Sequence, residues 1–194
     1  MSRNFLGGVA IVVILALTAV AVAEDVVHQN IPDAELLNQD GESVRFLSEV
    51  IGDKLAAITF TFTSCHTICP RLDGIFAKLQ GQIADDLVED TVLVTVSVDP
   101  VNDIPERLKA HSEMMKAGPG WSFITGEKER VNDLLKALEV FAPDILEHPP
   151  TVFVVDGRRG EWTRLSGFPS PDKIAELLGE YRQGRSEEAK GVGR

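Results

Sequence analysis

Thr61-Phe62-Thr63-Ser64-Cys65-His66-Thr67-Ile68-Cys69-Pro70 orients the whole reading, because it carries both cysteines of a 194-residue chain. Up to Ser64 the residues are mostly apolar or β-branched, as at the end of a buried strand. From Pro70-Arg71-Leu72 onward they read as a helix. The two thiols therefore stand where a strand hands over to a helix N-terminus. Exposed N–H groups and the helix dipole stabilise negative charge there. Such surroundings favour the thiolate, the form of cysteine that attacks disulfides and binds metals. Cysteines four residues apart face the same way when the turn between them is helical, and their Cα atoms then lie within reach of a disulfide. The same pair can clamp a soft metal. An inert structural disulfide is the plain alternative. Structural cystines usually close long loops, however, and a bridge across three residues constrains little.

Outward from this stretch, strand and helix patterns alternate. Lys54 leads into Leu55 to Phe62, apolar on both faces as in a central strand. Leu72, Ile75, Phe76, Leu79 and Ile83 recur at helical spacing. Thr91 to Val98 is a second β-branched strand, ending at Asp99-Pro100. Asp103-Ile104-Pro105-Glu106 opens a helix, with Asp103 as its cap and Pro105 in its first turn; it runs to about Lys116 and is stopped by Gly118-Pro119-Gly120. Trp121 to Ile124 is a short strand, and Glu127 to Phe141 a helix through Val131, Leu134, Leu135, Leu138 and Phe141. Thr151 to Val155 and Glu161 to Leu165 flank the turn Asp156-Gly157-Arg158-Arg159-Gly160, and Asp172 to Tyr181 makes the last helix. Near the start, Ala34 to Leu37 and Ser43 to Leu47 flank Asn38-Gln39-Asp40-Gly41, a hairpin signal. No internal repeat is present. The expectation is an α/β domain over residues 31–181 with a central mixed sheet, an N-terminal β-hairpin and flanking helices. A redox-type cysteine pair at the end of a central strand makes that fold thioredoxin-like. From Arg182 the tail, residues 182–194, is charged and Gly-rich with no apolar period, and reads as disordered.

The N-terminus carries Arg3, an uncharged stretch from Phe5 to Ala23, and Ala21-Val22-Ala23 ahead of Glu24-Asp25. That is the pattern of a signal peptide, and at roughly 20 residues it is also long enough to serve as an anchor. Residues 1–23 are read as one or the other. The pattern is bacterial in type and places the domain on the periplasmic side of the inner membrane, attached to a membrane through this segment alone. The net charge of −11 argues against nucleic-acid binding and against an anionic lipid surface; acidity of this kind most simply keeps a domain soluble.

Four pieces taken together resemble the Sco/SenC family of copper-handling, thioredoxin-fold proteins. Cys65-His66-Thr67-Ile68-Cys69-Pro70 matches its C-x-x-x-C-P. Val96-Ser97-Val98-Asp99-Pro100 with Asn102-Asp103-Ile104-Pro105 is similar to its S-V-D-P…D-x-P. Trp121-Ser122-Phe123-Ile124-Thr125-Gly126 is similar to its W-x-x-L-T-G. His148, just ahead of the strand at Thr151, falls where the family places a metal histidine. The likeness spans about Ile31 to Tyr181. It implies a copper site made by Cys65, Cys69 and His148. The chemistry agrees: thiolates suit Cu(I), and an imidazole lets the same site hold Cu(II). It also implies a metallochaperone whose copper, or whose thiol electrons, go to the copper-bearing subunit of cytochrome c oxidase or to other periplasmic thiol or copper proteins. Glu147 and Pro149 flank His148 where the family usually has Asp and a small residue, and the stretch from Phe141 to His148 is short for the family. Pro150-Thr151 resembles the cis-Pro-Thr of thioredoxins, which faces the cysteine pair.

The competing reading is a thiol–disulfide oxidoreductase, with Cys65 and Cys69 as the redox pair and no physiological copper site. A weaker one is a thiol peroxidase with Arg71 beside the reactive cysteine. The other chemistry-bearing residues read plainly. His66 is a spacer, His28 and His111 are surface residues, and Asp99 caps the loop after its strand. Met114 and Met115 are ordinary packing, and Trp121 and Trp162 are core aromatics.

Overall fold

The computed structural model describes residues 24–26 and 30–191. Residues 1–23, including the apolar segment, lie outside them. Among the described residues no helix is long and apolar enough to cross a membrane.

Eight strands form one mixed sheet: β1 (Glu24–Val26), β2 (Glu35–Asn38), β3 (Ser43–Arg45), β4 (Leu55–Thr61), β5 (Thr91–Ser97), β6 (Trp121–Thr125), β7 (Thr151–Asp156) and β8 (Glu161–Ser166). Their order is β1-β8-β7-β4-β5-β6-β2-β3. β4, β5 and β6 run parallel, and β7 lies antiparallel against β4. The helices are α1 (Cys69–Gln82), α2 (Pro105–Met114), α3 (Lys128–Ala137) and α4 (Pro171–Gly191). This is the expected α/β mixed-sheet architecture, hairpin β2–β3 included.

β4 explains the layering. All seven of its residues are buried, and successive side chains point to opposite faces. Ala56, Ile58 and Phe60 meet Phe46, Val131, Leu134 and Leu138 on one face. Leu55 and Ala57 share the other with Leu72, Phe76, Leu79, Leu108, Ile174 and Leu178. A strand buried on both faces needs packed layers on both sides of the sheet.

Five local expectations are corrected. The strand from Ser43 ends at Arg45, and Phe46–Ile51 forms a wide π-helical turn that buries Phe46 and Ile51. Asp103 does not cap α2: Ile104 holds the cap position without a side-chain bond. α3 stops at Ala137, because Glu139 adopts a left-handed φ of 55° and Val140 N–H bonds back to Leu135 O; this C-terminal motif leaves Phe141 37% exposed. The peptide bond before Pro150 is trans, as are all those described. Lastly, the segment from Arg182 to Gly191 is not disordered but continues α4. Lacking an apolar stripe, it is held by charge. The Arg182 guanidinium pairs with Asp86 and Asp90, and that of Arg185 with the buried Asp156.

Candidate metal and thiol centre

β4 ends at Thr61, and Val98 N–H donates to its carbonyl as the last rung on that side. The chain then leaves the sheet, turns through Phe62 to Ile68 and enters α1 at Cys69. Pro70 sits in the first turn, where its missing N–H costs nothing. The turn makes Cys65 N–H donate to Phe62 O and brings Cys69 N–H to 3.4 Å from Cys65 Sγ. The Thr67 hydroxyl lies 3.7 Å from the same sulfur. Both cysteines are free thiols.

The two sulfurs differ in environment. Burial opposes ionisation of Cys65, but hydrogen bonds from the Cys69 thiol, the Thr67 and Cys69 N–H groups and the Thr67 hydroxyl outweigh it and hold its pKa below the ordinary thiol value. Burial pushes the Cys69 thiol up to about 12, helped by Cys65 beside it. Cys65 is thus the more readily ionised thiol of the two. In the reduced protein, alkylation is expected at Cys65 alone near neutral pH, its rate rising and levelling off at a lower pH than an ordinary thiol requires. Cys69 is labelled only as pH approaches about 12. Peptide mapping of labelled protein checks this, and label on Cys69 first would contradict it.

His148 arrives from the other side. The short helical turn Ile145–Glu147 is capped by the Asp144 side chain, which accepts from Leu146 N–H. It delivers His148 to the mouth of β7, the neighbour of β4. The ring is 3% exposed, packs edge-on against Phe62 with centroids 5.9 Å apart, and places Nε2 4.0 Å from Cys69 Sγ. The short Phe141–His148 stretch therefore reaches the thiols. Burial lowers the His148 pKa, so its ring stays neutral and keeps a lone pair at neutral pH. Its Nδ1 is buried without a hydrogen-bond partner. Metal-binding histidines commonly donate that second N–H to a carboxylate or carbonyl; the polar groups acting on this ring are the Cys69 sulfur at Nε2 and the Pro149 backbone, which partly offsets the effect of burial.

Other residues fall out as follows. His66 is exposed, consistent with a spacer, and His28 lies outside the described residues. Arg71 sits over the Phe168 ring at 4.2 Å with no bond to either cysteine, which removes the support for a peroxidase. Asp99 does cap its loop, accepting from Asn102 Nδ2 at 2.8 and 3.1 Å. Trp121 and Trp162 are buried as expected. Met115 packs on the core, but Met114 is 69% exposed. His111 is corrected: it is buried, and its Nε2 lies 3.1 Å from Asp73 Oδ2, tying α2 to α1. The helical period of α1 places Asp73 one turn beyond Cys69, but nothing in one sequence pairs it with a residue 38 positions away.

The SCO1/SenC family model matches residues 27–183. The chain belongs to the SCO1/SenC family. Among the relatives of this SCO1/SenC protein is one from Stutzerimonas stutzeri whose name ascribes copper binding to it, 32% identical over 108 residues, 56% of this chain and 51% of that protein. The chain thus spans about half the length of that relative. A SCO1/SenC family lipoprotein from Bacillus anthracis superposes with a TM-score of 0.68 at 24% identity, covering 80% of this chain and 94% of that one. BsSco, described as a member of a family of cytochrome c oxidase assembly proteins and as having a disulfide switch, superposes with a TM-score of 0.63 at 25% identity, covering 79% and 98%.

Proposed function

We propose that this protein binds one copper ion between Cys65, Cys69 and His148 and hands it to the copper centre of a cytochrome c oxidase. The observation that carries this is the 4.0 Å approach of His148 Nε2 to Cys69 Sγ beside a second free thiol. Bonds of about 2 Å to nitrogen and about 2.3 Å to sulfur put two ligands of one ion about 3.5–3.7 Å apart at tetrahedral or trigonal angles, a few tenths of an ångström inside this approach. Two sulfurs and an imidazole form a donor set that accepts Cu(I) and tolerates Cu(II). The copper-binding name of the Stutzerimonas relative and the oxidase-assembly description of BsSco support the cargo and the recipient. The apolar segment before Glu24 supports a periplasmic, exported or anchored protein.

Titration of the reduced protein with Cu(I) against a chromophoric chelator is the test. One equivalent of tight binding is expected, followed by transfer to the isolated, metal-free copper-bearing domain of the oxidase. Failure to bind one equivalent sinks the proposal.

The thiol asymmetry favours a second reading, reduction of the recipient's cysteines. The Cys65 thiolate would attack a disulfide sulfur of the partner, displacing one partner thiolate and forming a mixed disulfide. Cys69 would then lose its proton, attack Cys65 Sγ and release the second partner thiolate. Two electrons pass to the partner and a Cys65–Cys69 disulfide is left behind. Mixing the reduced protein with the disulfide form of the same domain, without copper, separates the two readings by whether partner thiols appear.

A further inference from the structure

We infer that Asp103 is the positioning residue of the cysteine turn: a buried carboxylate that takes over where the sheet stops and fixes the direction in which the chain carries Cys65. This rests on the copper reading for its affinity readout alone.

Asp103 is 1% exposed, and no cation pairs with it among the described residues. Burying a carboxylate is expensive unless its oxygens are hydrogen-bonded. Here three groups supply that: Thr63 N–H at 3.1 and 3.2 Å to the two oxygens, the Thr63 hydroxyl, and the Ser97 hydroxyl at 2.6 Å. The donors belong to two different strand ends. Ser97 is the last residue of β5. Thr63 lies two residues past the end of β4 and two before Cys65. Its N–H has left the ladder and would be unpaired without Asp103.

The carboxylate is itself aimed by its loop. Asp103 N–H donates to Asp99 O at 2.8 Å, Asp99 N–H donates to Ser97 Oγ at 3.0 Å, and Asn102 clamps the Asp99 side chain. The loop after β5 is thus folded back on itself, leaving one carboxylate pointed at the chain that leads to the thiol. The Thr63 bonds and the Ser97 bond meet on one carboxylate and tie the position of Thr63 to the end of β5, and Cys65 follows two residues on. Cys69 is anchored independently by α1 and His148 by the helical turn Ile145–Glu147 ahead of β7. Of the three donor side chains, Cys65 is the one carried by the turn after β4, and Asp103 holds that turn to the end of β5. Charge-assisted hydrogen bonds of this sort are short and directional, which suits holding geometry.

The test compares the wild type with Asp103→Ala and Thr63→Val, two readouts each. Thr63→Val removes one hydroxyl bond and keeps size and N–H, so it folds even if Asp103→Ala does not. Cu(I) affinity by chelator competition is expected to fall about 10- to 100-fold in Asp103→Ala, the range for groups that orient metal ligands, and less in Thr63→Val. The alkylation rate of Cys65 in the metal-free reduced protein is expected to rise in both, as the turn loosens. A purely structural role would lower the unfolding midpoint and leave both readouts unchanged in folded protein. Affinity within twofold of wild type together with an unchanged Cys65 alkylation rate overturns the inference. If the wild type binds no copper, the copper reading fails, and the alkylation rates still decide the role of Asp103.

Discussion

Cys69→Ser is expected to lower Cu(I) affinity by more than about 100-fold, a larger loss than removing an orienting group causes, with the fold intact. Cys69 is the donor shared by both sides of the site. Its N–H reaches Cys65 Sγ, and its own sulfur is the atom that His148 approaches. It is 1% exposed, so a metal held there is shielded from competing water. Serine keeps the shape and replaces a soft sulfur by a hard oxygen that binds Cu(I) poorly. His148→Ala is the informative companion. Two thiolates remain, so Cu(I) binding weakens less than in Cys69→Ser, while the Cu(II) form loses its nitrogen donor and its absorption spectrum changes. Chelator competition for Cu(I) and the visible spectrum of the Cu(II)-loaded protein measure the two. Cu(I) affinity of Cys69→Ser within tenfold of wild type would place the ion elsewhere.

The largest effect on stability is expected from Arg185→Ala, about 3–5 kcal/mol at neutral pH, the cost of leaving one member of a buried ion pair alone. Asp156 ends β7 and is 0% exposed. Arg185 Nε donates to Asp156 Oδ2 at 2.9 Å and its Nη2 to Oδ1; among the described residues Arg159 N–H, at 3.0 Å, also donates to this carboxylate. Burial alone would raise the Asp156 pKa, but the Arg185 bonds and charge more than compensate and hold it below the ordinary carboxylate value. A depressed folded pKa stabilises above the unfolded value, and that contribution is lost as pH falls through the folded one. The wild type therefore keeps this stability in full above the ordinary carboxylate value and loses it progressively as pH falls from there through the lower folded value. Urea denaturation of wild type and variant at neutral pH measures the difference. A loss under about 1 kcal/mol would reduce the pair to an ordinary surface salt bridge.

Strong periodic signals were legible from sequence. The apolar run Leu55 to Phe62 became β4, central and buried on both faces, because only such a strand needs no polar side. Cys65-x-x-x-Cys69-Pro70 became a turn running into a helix start, since the proline and the apolar spacing after it admit little else. His148 was found through its place in a family pattern; its spacing from the thiols, 79 positions from Cys69, says nothing about distance in space. The errors have a common cause. Asp103 looked like a helix cap because an Asp two residues before a Pro usually is one; its actual partners, Thr63 and Ser97, are on other strands. His111 looked like a surface residue because Asp73 is remote in sequence. The segment 182–191 looked disordered because it has no apolar stripe, and the acids that hold it, Asp86, Asp90 and Asp156, belong to other elements.

Local sequence was enough for the central strands and for the helices that carry an apolar stripe, for the two thiols meeting at a helix start, and for the acidic character of the domain. These depend on side-chain period, backbone restriction and charge, all carried by neighbours in the chain. Only the folded arrangement decided that His148 meets Cys69 and that a buried Asp103 holds the cysteine turn. It also decided that Arg185 of α4 meets Asp156 at the end of the interior strand β7. Each of these joins residues 29 to 79 positions apart, and their contact exists only because strands distant in sequence lie side by side in one sheet.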